Sequence, residues 1–205
     1  TDAVQGAALL DIDVDELGVD LLSLSAHKVY GPKGVGALYV RSGTNLAPLF
    51  FGGRQEAAIR PGTENVPGIA GMGAAMALTL AHKAQERQRL GQLRQKLVAG
   101  LLASLPGARV NGPPVACVPH VVSVSLADID AEMTIFRLSE LGIAVSMGSA
   151  CTSEAIEPSH VLLAMGLTRD LSEGTLRISL GYPTTEEDID ALLAVLPSVA
   201  ARSRR

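Results

Sequence analysis

Val19-Asp20-Leu21-Leu22-Ser23-Leu24-Ser25-Ala26-His27-Lys28-Val29-Tyr30-Gly31-Pro32-Lys33-Gly34-Val35-Gly36-Ala37-Leu38-Tyr39-Val40 holds two short apolar runs separated by a lysine and a glycine-rich turn. Val19 to Ser25 reads as a buried strand and Gly34 to Val40 as a second, with Gly31-Pro32-Lys33-Gly34 turning the chain between them. Downstream, Leu49 to Thr63 carries Gly52, Gly53, Pro61 and Gly62 without a usable period, so a loop is expected there. A structureless connection of that length is usually functional.

From Pro67 to Leu105 the pattern becomes helical. Leu90, Leu93, Leu97 and Leu101 recur at steps of three and four, which predicts one long helix or a broken pair. Lys83, Glu86, Arg87, Arg89, Arg94 and Lys96 read as its solvated face. A second body begins near Ala108, with a strand at Val121–Leu126 and a helix at Ala131–Leu141 stopped by Gly142. A short strand over Ile143–Val145 and a small-residue loop over Ser146–Ser153 follow. Next come a helix at Ser159–Met165 ended by Gly166 and an alternating strand at Thr175–Leu180. The last helix opens on a capping box, Thr184-x-x-Glu187, and buries Ile189, Leu192, Leu193 and Leu196. The Arg202–Arg205 tail is expected to fray. These elements divide the chain into 1–82, a connecting helix over 83–105, and a small α/β domain over 106–205.

Hydrophobic residues make up 47% of the 205, enough for a substantial core and too many for a disordered chain. With 17 Lys and Arg against 21 Asp and Glu, there is no basic field to hold a nucleic acid. No apolar stretch is long enough to span a bilayer; Val66–Ala81 is broken by Pro67 and several glycines. Thr1-Asp2 opens without a basic region or apolar run, and Cys117 and Cys151 stand far apart. A cytoplasmic protein is expected, one that meets neither nucleic acid nor membrane. Three Tyr and three Phe leave the core mainly to Ala, Leu, Val and Ile.

Several side chains could carry chemistry. Lys28 directly follows the first strand, where compact backbone could strip its amine of water and favour the neutral, nucleophilic form; position alone favours a solvated lysine capping the strand. Cys151 sits in Ser146-Met147-Gly148-Ser149-Ala150-Cys151-Thr152-Ser153, whose small neighbours would leave a thiolate accessible. A buried structural thiol is the competing reading. Cys117, between Pro114 and Pro119 in apolar company, reads as inert packing. Arg177 projects opposite the apolar face of its strand and could grip a carboxylate or form a surface ion pair. Asp2 could hold a protonated ring nitrogen and Gln5 a phenolic oxygen, although their short segment assigns neither role. The four histidines share no ligand spacing with either cysteine, so no metal site is expected.

In order along the chain stand Asp2-Ala3-Val4-Gln5, Ser25-Ala26-His27-Lys28, Gly31-Pro32-Lys33-Gly34-Val35-Gly36, Arg60-Pro61-Gly62-Thr63-Glu64-Asn65, Gly148-Ser149-Ala150-Cys151-Thr152-Ser153 and Leu176-Arg177-Ile178-Ser179-Leu180-Gly181. Together they resemble the cysteine desulfurases, NifS/IscS-like enzymes of the class-V aminotransferase type that depend on pyridoxal 5'-phosphate. The Gly-Ser-Ala-Cys-Thr-Ser form sets the chain apart from the family's other branch. The resemblance implies an α/β, fold-type-I transferase: the end of a large cofactor-binding domain followed by a small C-terminal domain.

It also implies conversion of L-cysteine to L-alanine, with sulfur left as a persulfide on the enzyme. Lys28 matches the lysine that carries the cofactor, and Cys151 the thiolate that takes the sulfur. Asp2 matches the carboxylate on the pyridine nitrogen, and Gln5 the amide near the ring hydroxyl. Ser25, His27 and Thr63 match phosphate ligands, Thr63 serving the neighbouring subunit of a homodimer. Arg177 matches the clamp on the substrate carboxylate. The implied partner is a sulfur acceptor, such as an iron–sulfur scaffold, with tRNA thiolation as another destination. A selenocysteine or cysteine lyase on the same scaffold, or a non-catalytic dimerisation or docking fragment, are the alternatives.

Two departures stand out. The family's loop reads Gly-Gly-Gly-Gln-Glu-Arg-Gly where this chain has Gly52-Gly53-Arg54-Gln55-Glu56-Ala57-Ala58. The motifs also begin where the family has run through about half its length, so the chain resembles a C-terminal half. Segments resembling a glycine-threonine phosphate loop, a ring-stacking histidine and an asparagine assisting Arg177 are not among its motifs.

Overall fold

The expected strand pair forms as an antiparallel ribbon of β1 (Leu21–Ser25) and β2 (Gly36–Val40), with Leu21 opposite Val40 and Ser25 opposite Gly36. A Cβ on Gly36 would stand 2.6 Å from the Leu24 carbonyl oxygen, so the two strands meet there only because the residue is glycine. Asp2 makes a parallel bridge to Ser23 on β1. The Ala3 N–H donates to the Ser23 carbonyl and the Ser23 N–H to the Thr1 carbonyl, each at 3.1 Å. Arg41, just past β2, donates to the Val14 and Val19 carbonyls and to Asp15, closing the loop that precedes β1.

This computed structural model describes residues 1–147 and 158–205 and divides into two units, Thr1–Glu86 and Arg87–Arg205. The helical period predicts one helix or a broken pair, and a single 39-residue helix forms, α1 (Val66–Ser104), which belongs to both units. Pro67 falls in its first turn, where the missing N–H costs nothing. Within the first unit only Gly68 of this helix is buried; within the second, Leu90, Leu93, Leu97 and Leu101 all are.

The second unit is a three-stranded antiparallel sheet, β3 (Arg109–Val110), β4 (Val121–Ser125) and β5 (Thr175–Ser179), in that order. Around it lie α2 (Ala131–Glu140), α3 (His160–Ala164), α4 (Arg169–Glu173) and α5 (Glu186–Arg202). Alternation puts Val122, Val124, Leu176 and Ile178 on the buried apolar face, with Leu97, Leu101, Leu138 and Leu196 completing the core. The architecture is mixed α/β, as expected, and no helix among the described residues is long and apolar enough to cross a membrane.

Several expectations need correction. Ile143–Val145 forms no strand; only Ser146 bridges, to Arg177. The cap of α5 lies one residue later than the sequence suggests: Thr185 and Asp188 form the capping box, Thr184 instead accepts from the Gly181 N–H, and Leu193 is half-buried. The cations of α1 are no merely solvated face. Arg89 donates to the Gly181, Tyr182 and Thr184 carbonyls, Arg94 to the Val121 carbonyl, and Lys96 pairs with Glu186 and Asp190, while Lys83 pairs with Asp11. The tail is anchored rather than frayed: Ser203 is buried, the Asp130 N–H donates to its carbonyl, Arg204 bridges Ile129, and Arg205 pairs with Glu173. Cys117 is half-buried in an exposed loop rather than packed in the core. The Leu49–Thr63 loop holds a short 3₁₀ turn at Glu56–Ala58.

Candidate active site

In the first unit Ser25, His27 and Lys28 stand at the carboxyl end of β1. There the strand passes into a 3₁₀ turn, Ala26–Val29, which ends with Tyr30 in the left-handed region at φ 63°. Ser25 Oγ and His27 Nδ1 are 2.8 Å apart, so the hydroxyl and the imidazole are already paired. Lys28 is the next residue in the same turn. It is exposed, in keeping with the solvated reading of its position. Asp2 is carried to β1 by its bridge to Ser23, and one of its carboxylate oxygens accepts the Val4 N–H at 2.8 Å. Gln5 lies in the turn that follows. Asp2 thus stands beside the middle of β1, and Ser25, His27 and Lys28 follow at its carboxyl end.

Thr63 is placed elsewhere in the unit, in an exposed loop after Gly62. No hydrogen bond among the described residues ties it to Ser25 or His27. Upstream of it, Glu56, Ala57 and Ala58 all adopt positive φ, at 47°, 55° and 62°. Three consecutive non-glycine residues in that region are strained, and Ala58 stands where the resemblance puts a glycine.

In the second unit Arg177 occupies the middle of β5, opposite Ser123 on β4. On its other side the Arg177 N–H donates to the Ser146 carbonyl at 2.6 Å, and the Ser146 N–H returns to Arg177 at 3.1 Å. This pairing was not foreseen, because a bridge between residues so far apart leaves no local pattern. The Arg177 Nε is buried without a partner among the described residues. Cys151 lies outside the described residues.

A paired hydroxyl and imidazole thus stand beside a lysine at the end of β1, and a carboxylate is bridged to the middle of the same strand. The family model described as Aminotransferase class-V matches residues 1–192. The chain belongs to the class-V aminotransferase family. It is 45% identical to a cysteine desulfurase IscS of Clostridium botulinum, over 100% of this chain and 52% of that protein. Among solved structures, a NifS-like protein is 37% identical with a TM-score of 0.87, over 98% of this chain and 52% of the other. A NifS-like protein from Rickettsia africae is 30% identical, also at 0.87, over 97% and 52%. This class-V aminotransferase chain thus spans about half the length of the curated relatives it matches.

Proposed function

We propose that the chain supplies part of the active site of a pyridoxal-phosphate-dependent cysteine desulfurase, which turns L-cysteine into L-alanine and passes the sulfur to Cys151. The observation that carries this reading is the pairing of Ser25 with His27 next to Lys28 where β1 ends, with Asp2 bridged to the same strand at Ser23. That donor set fits the cofactor: a hydroxyl and an imidazole for its phosphate, an amine for its aldehyde, and a carboxylate for its ring nitrogen. When bound, the cofactor supplies an electron sink for bonds broken at the substrate's α and β carbons.

The chain's own residues then have definite tasks. Asp2 keeps the ring nitrogen protonated, with the Val4 N–H fixing the carboxylate's orientation. Gln5 would supply an amide to the ring hydroxyl. Arg177 holds the substrate carboxylate through its guanidinium. Lys28, with its amine free, would remove the α proton as a general base. The Cys151 thiolate attacks the substrate sulfur; the new S–S bond forms as the C–S bond breaks, and its electron pair stays with carbon. That carbon then takes up a proton and leaves as alanine. Thr63 serves the phosphate site of a second copy, in a homodimer. The persulfide goes to an acceptor protein in the cytoplasm, such as an iron–sulfur scaffold.

The test uses the chain joined to the rest of its relatives' length. After loading with pyridoxal phosphate and borohydride reduction, the cofactor mass is expected on the peptide containing Lys28, and Lys28→Ala should remove it. After treatment with cysteine, a persulfide is expected at Cys151 and should be absent from Cys151→Ser. Labelling at another lysine, or a persulfide that survives Cys151→Ser, overturns the assignment. A protein that takes up no cofactor is a docking fragment instead.

A further inference from the structure

In the first unit's part of α1, Gly71, Ala75 and Thr79 recur at every fourth residue and so share one face of the helix. They are half-buried, whereas Gly73, Ala74, Ala77 and Leu78 between them are exposed. Against that face lies the segment that carries Lys28, residues 26–32. A Cβ on Gly71 would stand 3.0 Å from Pro32 Cγ and 3.2 Å from Pro32 Cδ. A Cβ on Gly31 would stand 3.2 Å from the Ala75 Cβ and 3.0 Å from the Ala26 carbonyl oxygen. One helical turn further on, Thr79 Oγ1 donates to the Val29 carbonyl at 3.3 Å. Helix and segment thus meet at three successive turns, twice only because a side chain is missing.

The segment itself has two sides. Residues three apart in a 3₁₀ turn eclipse one another, and Ala26 and Val29 are buried at 0% and 1% exposure. His27 and Lys28 between them are exposed. The Ala26 carbonyl accepts from the Gly31 N–H at 2.8 Å, and the Ala26 N–H donates to the Val35 carbonyl at 3.1 Å. A segment closed in this way moves as one piece, because packed backbone transmits strain. A push on Pro32 or Val29 therefore also moves Lys28.

We infer that Gly71 and Thr79 are positioning residues for Lys28: α1 grips the inner side of the 26–32 segment and so sets where the amine on its outer side stands. This role rests on the reading of Lys28 as the cofactor's attachment point, and both residues act through the turn. Asp2 is held separately, by its bridge to Ser23. The aldehyde and the ring nitrogen of the cofactor are fixed relative to each other, so a turn displaced from its seat leaves Lys28 and Asp2 unable to meet both at once.

Gly71→Ala and Gly73→Ala make the same change in the same helix. Both raise helix propensity, but only the first meets Pro32, since nothing stands within 4 Å of a Cβ on Gly73. In the chain joined to the rest of its relatives' length, Gly71→Ala is expected to raise the Kd for pyridoxal phosphate about tenfold, the low end of what overpacking by one carbon costs. At a cofactor concentration near the parent's Kd, the borohydride-fixed label on the Lys28 peptide should fall with occupancy. Gly73→Ala should bind and label like the parent. Equal Kd values for the two variants overturn the inference. Should Gly71→Ala fail to fold, as judged by its urea midpoint, Thr79→Val is compared with Thr79→Ser, which alone keeps the hydroxyl for Val29. Valine is expected to raise Kd about threefold over serine, the effect of one neutral hydrogen bond, and equal values overturn the proposal. Label on another lysine in the unsubstituted protein sinks the reading of Lys28, and the positioning role falls with it. Label on Lys28, with Gly71→Ala and Gly73→Ala binding alike, removes the positioning role alone.

Discussion

Glu173, at the end of α4, accepts from Arg169 Nε at 2.7 Å and from Arg205 at 2.6 Å. Hydrogen bonds first from Arg169 and then from Arg205 hold its carboxyl below the usual carboxylate range. A group whose folded value is depressed stabilises the protein fully above its unfolded value, and that stability fades as pH falls through the folded one. Glu173→Gln should therefore unfold more readily than the parent at pH 6. The gap between their urea midpoints should close as pH drops below about 4. A gap that stays constant with pH would count against the ion pair. Ala58 poses the opposite case, since its φ of 62° suits glycine. Ala58→Gly relieves about 1–2 kcal/mol of left-handed strain against about 0.5–1 kcal/mol of added unfolded-chain entropy. A net gain of about 0.5 kcal/mol in urea unfolding is expected.

Among the elements, α5 shows how finely a boundary depends on geometry. Both Thr184 and Thr185 could cap it, and each has an acid three residues on. Thr185 takes the role because the Gly181 N–H claims the Thr184 hydroxyl. Thr185→Ala should lose about 1 kcal/mol in thermal or urea unfolding. The periodic elements were legible in the sequence: leucines at steps of three and four located the second half of α1, and alternation located β5. The Ser25–Lys28 segment was legible as part of a family motif, because its strand end, hydroxyl, imidazole and amine are contiguous. What stayed hidden was long-range. The carbonyl contacts of Arg89 and Arg94, the anchored tail and the Ser146–Arg177 bridge each join distant segments, so no local period records them. The short α4 and β3 were missed because so few residues carry no period.

At the scale of the whole molecule, the two halves of α1 are supported very differently. Leu90, Leu93, Leu97 and Leu101 are buried beyond Arg87, whereas Val66, Ile69, Leu78 and Leu80 ahead of it are exposed. The leading half holds to the first unit through the Thr79 hydroxyl on the Val29 carbonyl and through Lys83 with Asp11, yet buries no large apolar side chain, and packing of an apolar face supplies most of a helix's stability. One continuous run of backbone hydrogen bonds should therefore carry a steep gradient in opening free energy. Transferred to heavy water, the peptide protons of residues 90–101 should outlast those of residues 69–80 by orders of magnitude, with the crossover near 86. Isotope uptake followed by mass spectrometry would record that gradient, and uniform uptake along the rod would show that its leading half borrows rigidity from the trailing one.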